Sequence, residues 1–417
     1  MAASPPGAAL RVPHLLGLAA RNVLRNTTRS LLSLAAIAVG VAGLILSGGF
    51  VNDLIFQLGE RVIHSQSGHV QVGRSGYFAS GSRAPGRYLV SPDDVARLAV
   101  EKAPHVVQAM RRVGFSGLLG NGRSSYPIVG EGIEPDKEAK LGTYLVLAEG
   151  RALSSRDRYG ALVGAGVARA MGLKAGSSFS VVAPTVDEAM NTVDLQVVGI
   201  FNSFSKDYDD RTIKVPLETA QELVDTNGAN IIVLLLAQTR HTAQVAASLQ
   251  ERAHGLGLEV KTWDWLNDFY WKAVALYDRQ FGVLRLIVLL MVVLAVAGAI
   301  NMGVFERAGE FGTMRALGNR NSDVMRLVLI EGALMGIVGA MFGLLFGWAA
   351  AWGLSELGIP MPPPPNSNLE YVARIRLSPG VLISAVAIGA LATVIASAIP
   401  AVRVARIPIA DALRRLV

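Results

Sequence analysis

The residues of this chain best placed to do chemistry lie at 306–318. There Glu306, Arg307, Glu310 and Arg315 alternate with Phe311, Gly312, Met314, Ala316, Leu317 and Gly318. That chemistry is docking. On a helix Arg307, Phe311 and Arg315 lie four apart and Phe311 and Met314 three apart, so the spacing predicts an apolar knob flanked by cations. Gly318 suits a left-handed helix end, and Asn321-Ser322-Asp323 suits the start of the next helix. A segment this amphipathic cannot lie in lipid and is too short to fold alone. It is expected to seat on a partner.

No other constellation offers catalysis. The pattern G-x-x-x-x-G-K-[ST] does not occur, and Gly172-Leu173-Lys174-Ala175-Gly176-Ser177-Ser178 fails it, which excludes a P-loop nucleotide site. The chain has no cysteine, hence no disulfide and no thiolate metal ligand. His14, His64, His69, His105, His241 and His254 are scattered, with no pair at metal-ligand spacing on an expected helix. Asp207-Tyr208-Asp209-Asp210 resembles a calcium loop in charge but lacks the spacing of roughly 12 residues. Glu331 falls inside an apolar segment, where an acid is costly unless it reaches water or pairs with Arg326 or Arg320. The expectation is a chain that is no enzyme, with no metal and no cofactor of its own.

The elements that position the charged segment are membrane helices. Hydrophobic residues make up 51% of the chain and charged ones 17%, with mean hydropathy +0.40, which places it in a bilayer. A span needs about 20 largely uncharged residues, and four segments qualify: 30–52, 283–305, 323–354 and 377–402. The first exceeds the apolar core of a signal peptide, roughly 7–15 residues. It reads as an uncleaved anchor. Residues 1–29 before it read as an amphipathic interfacial helix, with Leu15, Leu18 and Val23 toward lipid and arginines toward headgroups.

Charge sets the orientation. Residues 1–30 hold four arginines and no acid, residues 306–326 hold four arginines, and the tail 403–417 holds four more. Basic residues near span ends mark the cytoplasmic side. Both termini and the 306–322 segment are therefore expected inside, and residues 53–282 and 355–376 outside. The whole chain has 39 Lys+Arg against 32 Asp+Glu, a net +7; residues 53–282 hold 24 against 25, which leaves 15 against 7 elsewhere. The excess positive charge thus reports membrane topology and gives no support to nucleic-acid binding.

Residues 53–282 are expected to fold as a large α+β domain with helical stalks. Ser91-Pro92-Asp93-Asp94 reads as a capped helix start. Val106–Leu119 and Ser125–Val129 read as a hairpin with a two-residue turn at Asn121-Gly122. Further strands are expected at Ala161–Val163, Phe179–Ala183, Leu195–Phe201, Thr212–Val215 and Asn230–Leu236. Helices are expected at Gly166–Met171, Leu217–Asp225 and Thr242–His254. Residues 54–65 and 264–285 read as helices leading from the first span and into the second, and Pro362–Pro365 as a stiff connector.

With these residues in hand, the chain resembles the permeases of MacB/FtsX-type ABC transporters, and within them the lipoprotein-releasing LolC/LolE branch. Arg21-Asn22-Val23-Leu24-Arg25-Asn26-Thr27-Thr28-Arg29 is similar to the family's basic lead into its first span. Residues 304–318 resemble its VxERxxEIGxxRALG coupling segment, with Phe311 where Ile is usual. Pro400-Ala401-Val402-Arg403-Val404-Ala405-Arg406-Ile407-Pro408 with Asp411-Ala412-Leu413-Arg414 resembles its PAxRxARxxPxxALR ending. Leu162–Gly164, Met171–Gly176, Val198–Phe201 and Tyr208-Asp209 are similar to the lipoprotein-releasing branch. One departure stands out. Where LolC carries a protruding proline-rich hairpin that engages a periplasmic carrier, Ala183 to Asp194 here is a shorter, acidic connection.

The resemblance implies a multi-pass protein of the bacterial inner membrane with both termini cytoplasmic. It implies a separate ABC ATPase dimer, holding ATP and Mg, that would grip Glu306–Gly318. It implies a second copy or a related permease as partner, and a periplasmic carrier or adaptor in some relatives. In lipoprotein-releasing relatives a lipid-anchored protein enters between the first two spans. The matching faces are Val41, Leu44, Ile45 and Phe50 on the first, and Phe281, Leu284 and Ile287 approaching the second. All are apolar, which suits acyl chains and membrane lipid equally. Lipoprotein extraction is thus the leading expectation. The alternatives are MacB-like export of a peptide or amphiphile and FtsX-like control of a cell-wall hydrolase.

Overall fold

The computed structural model describes residues 17–19, 21, 22, 25, 27–81, 85–98, 100, 103–363 and 370–408. Leu15, Val23, Pro364, Pro365 and the Asp411-Ala412-Leu413-Arg414 ending lie outside the described residues. Two units, one helical and one globular, are each compact.

Four helices are long and apolar enough to cross a membrane, Ser30–Ser67, Asp268–Glu306, Asn321–Leu357 and Pro379–Ala405. The first two continue through the helices expected at 54–65 and 264–285, the second starting at Asp268 after a separate short helix at Trp263–Leu266. Nothing in 268–282 breaks a helix, so the backbone continues where apolar composition ends. Pro379 sets the first turn of the fourth, with the Ser378 hydroxyl accepting from the Val381 amide at 3.4 Å.

The third span carries the packing. Its Gly332 and Gly336 abut Ser397 and Thr393 of the fourth span, and Gly339, Gly343 and Gly347 abut Ile37, Val41 and Ile45 of the first. A Cβ on Gly336 would sit 2.0 Å from Thr393 Oγ1, and one on Gly343 would sit 2.6 Å from Val41 Cβ. Between helices in lipid there is little hydrophobic drive, so close approach of small residues supplies the contact. Thr393 and Ser397 donate their hydroxyls to Ala390 and Val394 carbonyls of their own helix at 2.7 and 2.8 Å, which satisfies both buried groups. The second span is packed least, with 17% of its most apolar window buried against 33–44% for the others.

The globular unit lies within Phe56–Ala273. Its strands are β1 Val70–Arg74, β2 Val106–Gly120, β3 Ser125–Ile133, β4 Val146–Gly150, β5 Gly160–Gly164, β6 Ser178–Pro184, β7 Met190–Asn202, β8 Thr212–Pro216, β9 Ile231–Leu236 and β10 Leu258–Thr262. They form one sheet in the order β10-β1-β9-β2-β3-β8-β5-β7-β4, with β6 pairing β2 and β7. The sheet is mixed: β3 with β8 and β5 with β7 run parallel, the rest antiparallel. The 15-residue β2 is shared by two cores, pairing β9 over Val106–Arg112 and β3 over Val113–Gly120. One core gathers Phe115, Phe179, Ile213 and Leu223, and the other Leu98, Ile232, Leu234 and Leu249.

Two sequence expectations are corrected here. The β2–β3 turn spans four residues, because Asn121 Oδ1 accepts both the Arg123 and Ser124 amides at 3.0 and 2.9 Å while Gly122 takes φ +83°. Ala183 to Asp194 is not all connection, since β7 begins at Met190 and pairs back to Pro184, leaving a short loop at 185–189. No protruding hook is built there.

Where β2 changes partner it buries charge. Arg112, 3% exposed, donates from Nε and Nη2 to Glu138 at 2.5 and 3.0 Å and lies 3.8 Å from Glu131, which Lys214 also approaches at 3.5 Å. Burial opposes the charge on Glu138, but Arg112 outweighs it and holds the carboxyl below the usual range. The sequence reading gave no hint of this cluster.

Candidate coupling site

The second span ends at Glu306, Arg307 leaves helical geometry at φ −100° and ψ 14°, and a separate helix runs Ala308–Ala316. Gly318 follows at φ +98°, as the end of this helix requires. The Asn319 amide closes the turn on Met314 O at 3.2 Å. Asp323 Oδ2 then accepts the Arg320 amide at 3.0 Å and starts the third span.

The short helix forms as expected, but its apolar knob is turned inward. Phe311 is 2% exposed and belongs to the same buried cluster as Val304, Val324, Leu327 and Val404, with the Arg307 guanidinium 5.2 Å from its ring centroid. Helical spacing cannot say which side of a stripe is covered, and here the chain's own spans cover it. Gly309 and Gly312 share that buried face, and Met314 is half-buried. The outward surface is Thr313, Ala316, Leu317 and Gly318, with Phe305 and Glu306 also exposed. Leu317, at 81%, is the most exposed large hydrophobic among the described residues.

The charges are internally engaged. Arg307 Nη1 donates to both Glu331 oxygens at 3.1 and 3.2 Å, and its Nε donates to Glu310 at 2.9 Å. Arg25 also bonds Glu310, and Asn22 Nδ2 donates to Glu331 at 2.5 Å. Glu331 therefore pairs with Arg307 and Asn22 rather than with Arg326 or Arg320. Partial burial opposes the charge on Glu310, but Arg25 and Arg307 outweigh it and keep its carboxyl below the usual range. Arg315 bonds the Ile407 carbonyl just past the fourth span. A cavity of about 60 Å³ lies against this network, lined by Ser30, Ser33, Gly303, Arg307, Glu331 and Met335 among others.

The faces expected to admit substrate divide. Val41, Leu44 and Ile45 are 1%, 6% and 0% exposed and belong to the buried cluster of the spans, with third-span glycines packed on Val41 and Ile45, so they are core. Leu284 and Ile287 are exposed at 38% and 49%, and Phe50 and Phe281 are half-buried with ring centroids 6.4 Å apart. The open side of the first span is instead Leu31, Leu32 and Val39.

The histidines are less scattered than the sequence suggests. His64 and His69 meet edge to face at 5.7 Å, and His105 stacks on His241 at 3.9 Å. Asp209 accepts the Ser203 amide at 2.8 Å and is fully buried, so this acid of the 207–210 run is structural. No group of three or more His, Asp or Glu suited to a metal occurs among the described residues.

The element order of the chain is one apolar helix, an α/β unit, then three more apolar helices with a short charged helix between the second and third spans. The family models that match the chain make it a permease subunit of an ABC transporter. The chain belongs to the family of the MacB-like periplasmic core domain, which matches residues 30–252, and the FtsX-like permease C-terminal domain matches residues 282–409. It is 26% identical to the lipoprotein-releasing system transmembrane protein LolC of Xylella fastidiosa, across 92% of this chain and 93% of that one. To LolC of Neisseria meningitidis it is 22% identical across 79% and 78%. To the pyoverdine export ATP-binding/permease protein PvdT of Pseudomonas aeruginosa it is 25% identical across 76% of this chain and 48% of that one. Membership makes it an integral membrane permease subunit that partners with an ABC ATPase.

Proposed function

We propose that this chain is the permease of a machine that lifts lipoproteins from the outer leaflet of a bacterial inner membrane. The supporting observation is the LolC likeness, which runs over 92% of the chain and so takes in the globular unit as well as the spans. Both termini and the Ala308–Ala316 helix face the cytoplasm in this reading, by the distribution of arginine. An ATPase dimer, carrying ATP and Mg, seats Leu317 and its neighbours Thr313, Ala316 and Gly318 in a groove, with Glu306 at the rim. Phe311, Gly312 and Arg315 hold the helix in place from behind, and Met314 stands between the two faces. A second copy or a related permease completes the transporter. Leu284 and Ile287 offer an apolar surface to acyl chains.

Export of an amphiphile is the second reading, favoured by the short loop at 185–189 and by the likeness to PvdT. FtsX-like signalling to a cell-wall hydrolase is the third. Photoreactive residues at 39 and 284, in the complex assembled in cells, separate them. Capture of an acylated protein at both positions is expected. Capture of a free peptide or small amphiphile with no acylated protein overturns the lipoprotein reading in favour of export, and no cargo at all favours signalling.

A further inference from the structure

An ionised carboxylate in a membrane-spanning helix is costly unless it is paired, and such residues are commonly functional. Glu331 sits in the third span with 14% of its side chain exposed. Its two oxygens take Arg307 Nη1 at 3.1 and 3.2 Å, and one of them also takes Asn22 Nδ2 at 2.5 Å. Each partner stands on a different element. Arg307 is the non-helical joint between the second span and the short helix. Asn22 precedes the first span, and nearby Arg25 bonds Glu310 and so closes a second link to the same joint. An apolar contact of similar volume would tie these elements at lower desolvation cost. The charge therefore calls for an explanation beyond adhesion.

Two features supply one. Leu317, the exposed residue on which docking force would act, lies one nine-residue helix away from Arg307. The approximately 60 Å³ cavity beside Glu331, lined by Ser30, Ser33 and Asn22, offers polar room into which the carboxylate can turn when the joint moves. We propose that Glu331 is a positioning residue of the transport cycle. Through Arg307 it fixes the joint of the docking helix to the third span, and through Asn22 it fixes the segment that leads into the first span to the same point. Motion imposed on the short helix then reaches three membrane segments at one place. This inference rests on the docking reading above for the source of that motion, and on geometry alone for the lock.

The test uses the full chain assembled with its ATPase in lipid nanodiscs. Because the chain has no cysteine, spin labels at Met302→Cys and Asn321→Cys report the second span against the third. The native pair should give one narrow distance both without nucleotide and after trapping with ATP and vanadate. Glu331→Gln should broaden it in both states. Transport of a triacylated lipoprotein per ATP hydrolysed should fall about two- to thirtyfold, the range found for residues that carry coupling. In a double-mutant cycle Glu331→Gln with Arg307→Gln should be no worse than the poorer single variant, as expected for one shared contact. If Glu331→Gln fails to insert, Glu331→Asp keeps the charge while shortening its reach, and should insert and broaden the distance. A distance that stays narrow in both variants, or losses in the cycle that multiply, overturns the proposal. The nucleotide-free width depends neither on cargo nor on docking, so failure of the functional reading leaves this arm able to decide.

Discussion

Arg307 and Glu331 stand 24 residues apart in sequence and meet at 3.1 Å, with 13% and 14% of their side chains exposed. That contact and the burial of Phe311 have one origin. The short helix is held by its own spans along one face, so only the opposite face is left for a partner. The residues that make the segment conspicuous in sequence therefore divide into those that hold it and those that it presents.

Leu317 and Phe311 should accordingly fail in different ways. Leu317→Asp should insert and fold normally yet retain at least about tenfold less ATPase on co-purification, the loss expected of a buried interface anchor. Phe311→Ala should destabilise the chain by about 3–5 kcal/mol through the cavity that it leaves. Co-purification against thermal denaturation in detergent separates the two. Full ATPase retention by Leu317→Asp would remove the outward face from the docking surface.

Much of the fold was legible because apolar runs bounded by Gly, Pro or Asp are hard to misread: Gly160–Gly164, Thr212–Pro216 and Thr242–His254 lie within a residue of expectation. The strands at Val70–Arg74, Val146–Gly150 and Leu258–Thr262 escaped because polar residues such as Gln71, Glu149 and Lys261 interrupt their apolar runs, and Val146–Gly150 is exposed throughout. The short helix was legible in sequence, but which of its faces is covered was not. An i, i+3 apolar pair looks the same whether it faces a partner or the chain's own core, as Phe311 shows, and Val41 and Ile45 were misjudged for the same reason. The signal that could have corrected Val41 and Ile45 was present, since Gly332, Gly336, Gly339, Gly343 and Gly347 recur at helical spacing and mark the face against which they pack.

That glycine stripe gives a second prediction. Gly336→Leu should abolish recovery of folded protein, because even its Cβ would lie 2.0 Å from Thr393 Oγ1. Gly353→Ala, in the same helix with nothing within 4 Å of the added methyl, should be neutral or slightly stabilising. Size-exclusion profiles in detergent check both, and normal recovery of Gly336→Leu would refute the close packing of the third and fourth spans.

The buried cluster at Arg112 should behave as a pair. Glu138→Gln leaves Arg112 without its main partner and should cost about 3–5 kcal/mol, whereas the joint change Arg112→Met with Glu138→Leu should cost much less. Denaturant midpoints measure the difference. Equal losses in the two variants would show that packing rather than charge pairing dominates there.

His69 predicts a pH dependence. Its Nδ1 accepts the Leu236 amide and its Nε2 meets the Thr239 hydroxyl, both at 3.2 Å, so the folded state holds the ring neutral. Burial, helped by nearby His64, pushes its pKa down from 6.5 to about 4. Between those values the unfolded chain binds the extra proton, so stability is full above 6.5 and falls as pH drops toward 4, by about 2–3 kcal/mol. His69→Asn should flatten that part of the profile. The contribution of Glu138 is lost at lower pH still, because its folded pKa lies below 4.5. An unchanged slope in His69→Asn would assign the dependence elsewhere.

Orientation is decided by labelling. The globular unit exposes Lys174 and Ala247, and the start of the third span exposes Asn321. In an otherwise cysteine-free chain, Lys174→Cys and Ala247→Cys should react with an impermeant thiol reagent added to spheroplasts, and Asn321→Cys only after the membrane is opened. The arginines near the span ends favour this arrangement, since translocating them is the costlier choice. Reaction of Asn321→Cys in sealed spheroplasts would invert the topology, put the docking helix out of reach of any cytoplasmic ATPase, and sink the coupling assignment with it.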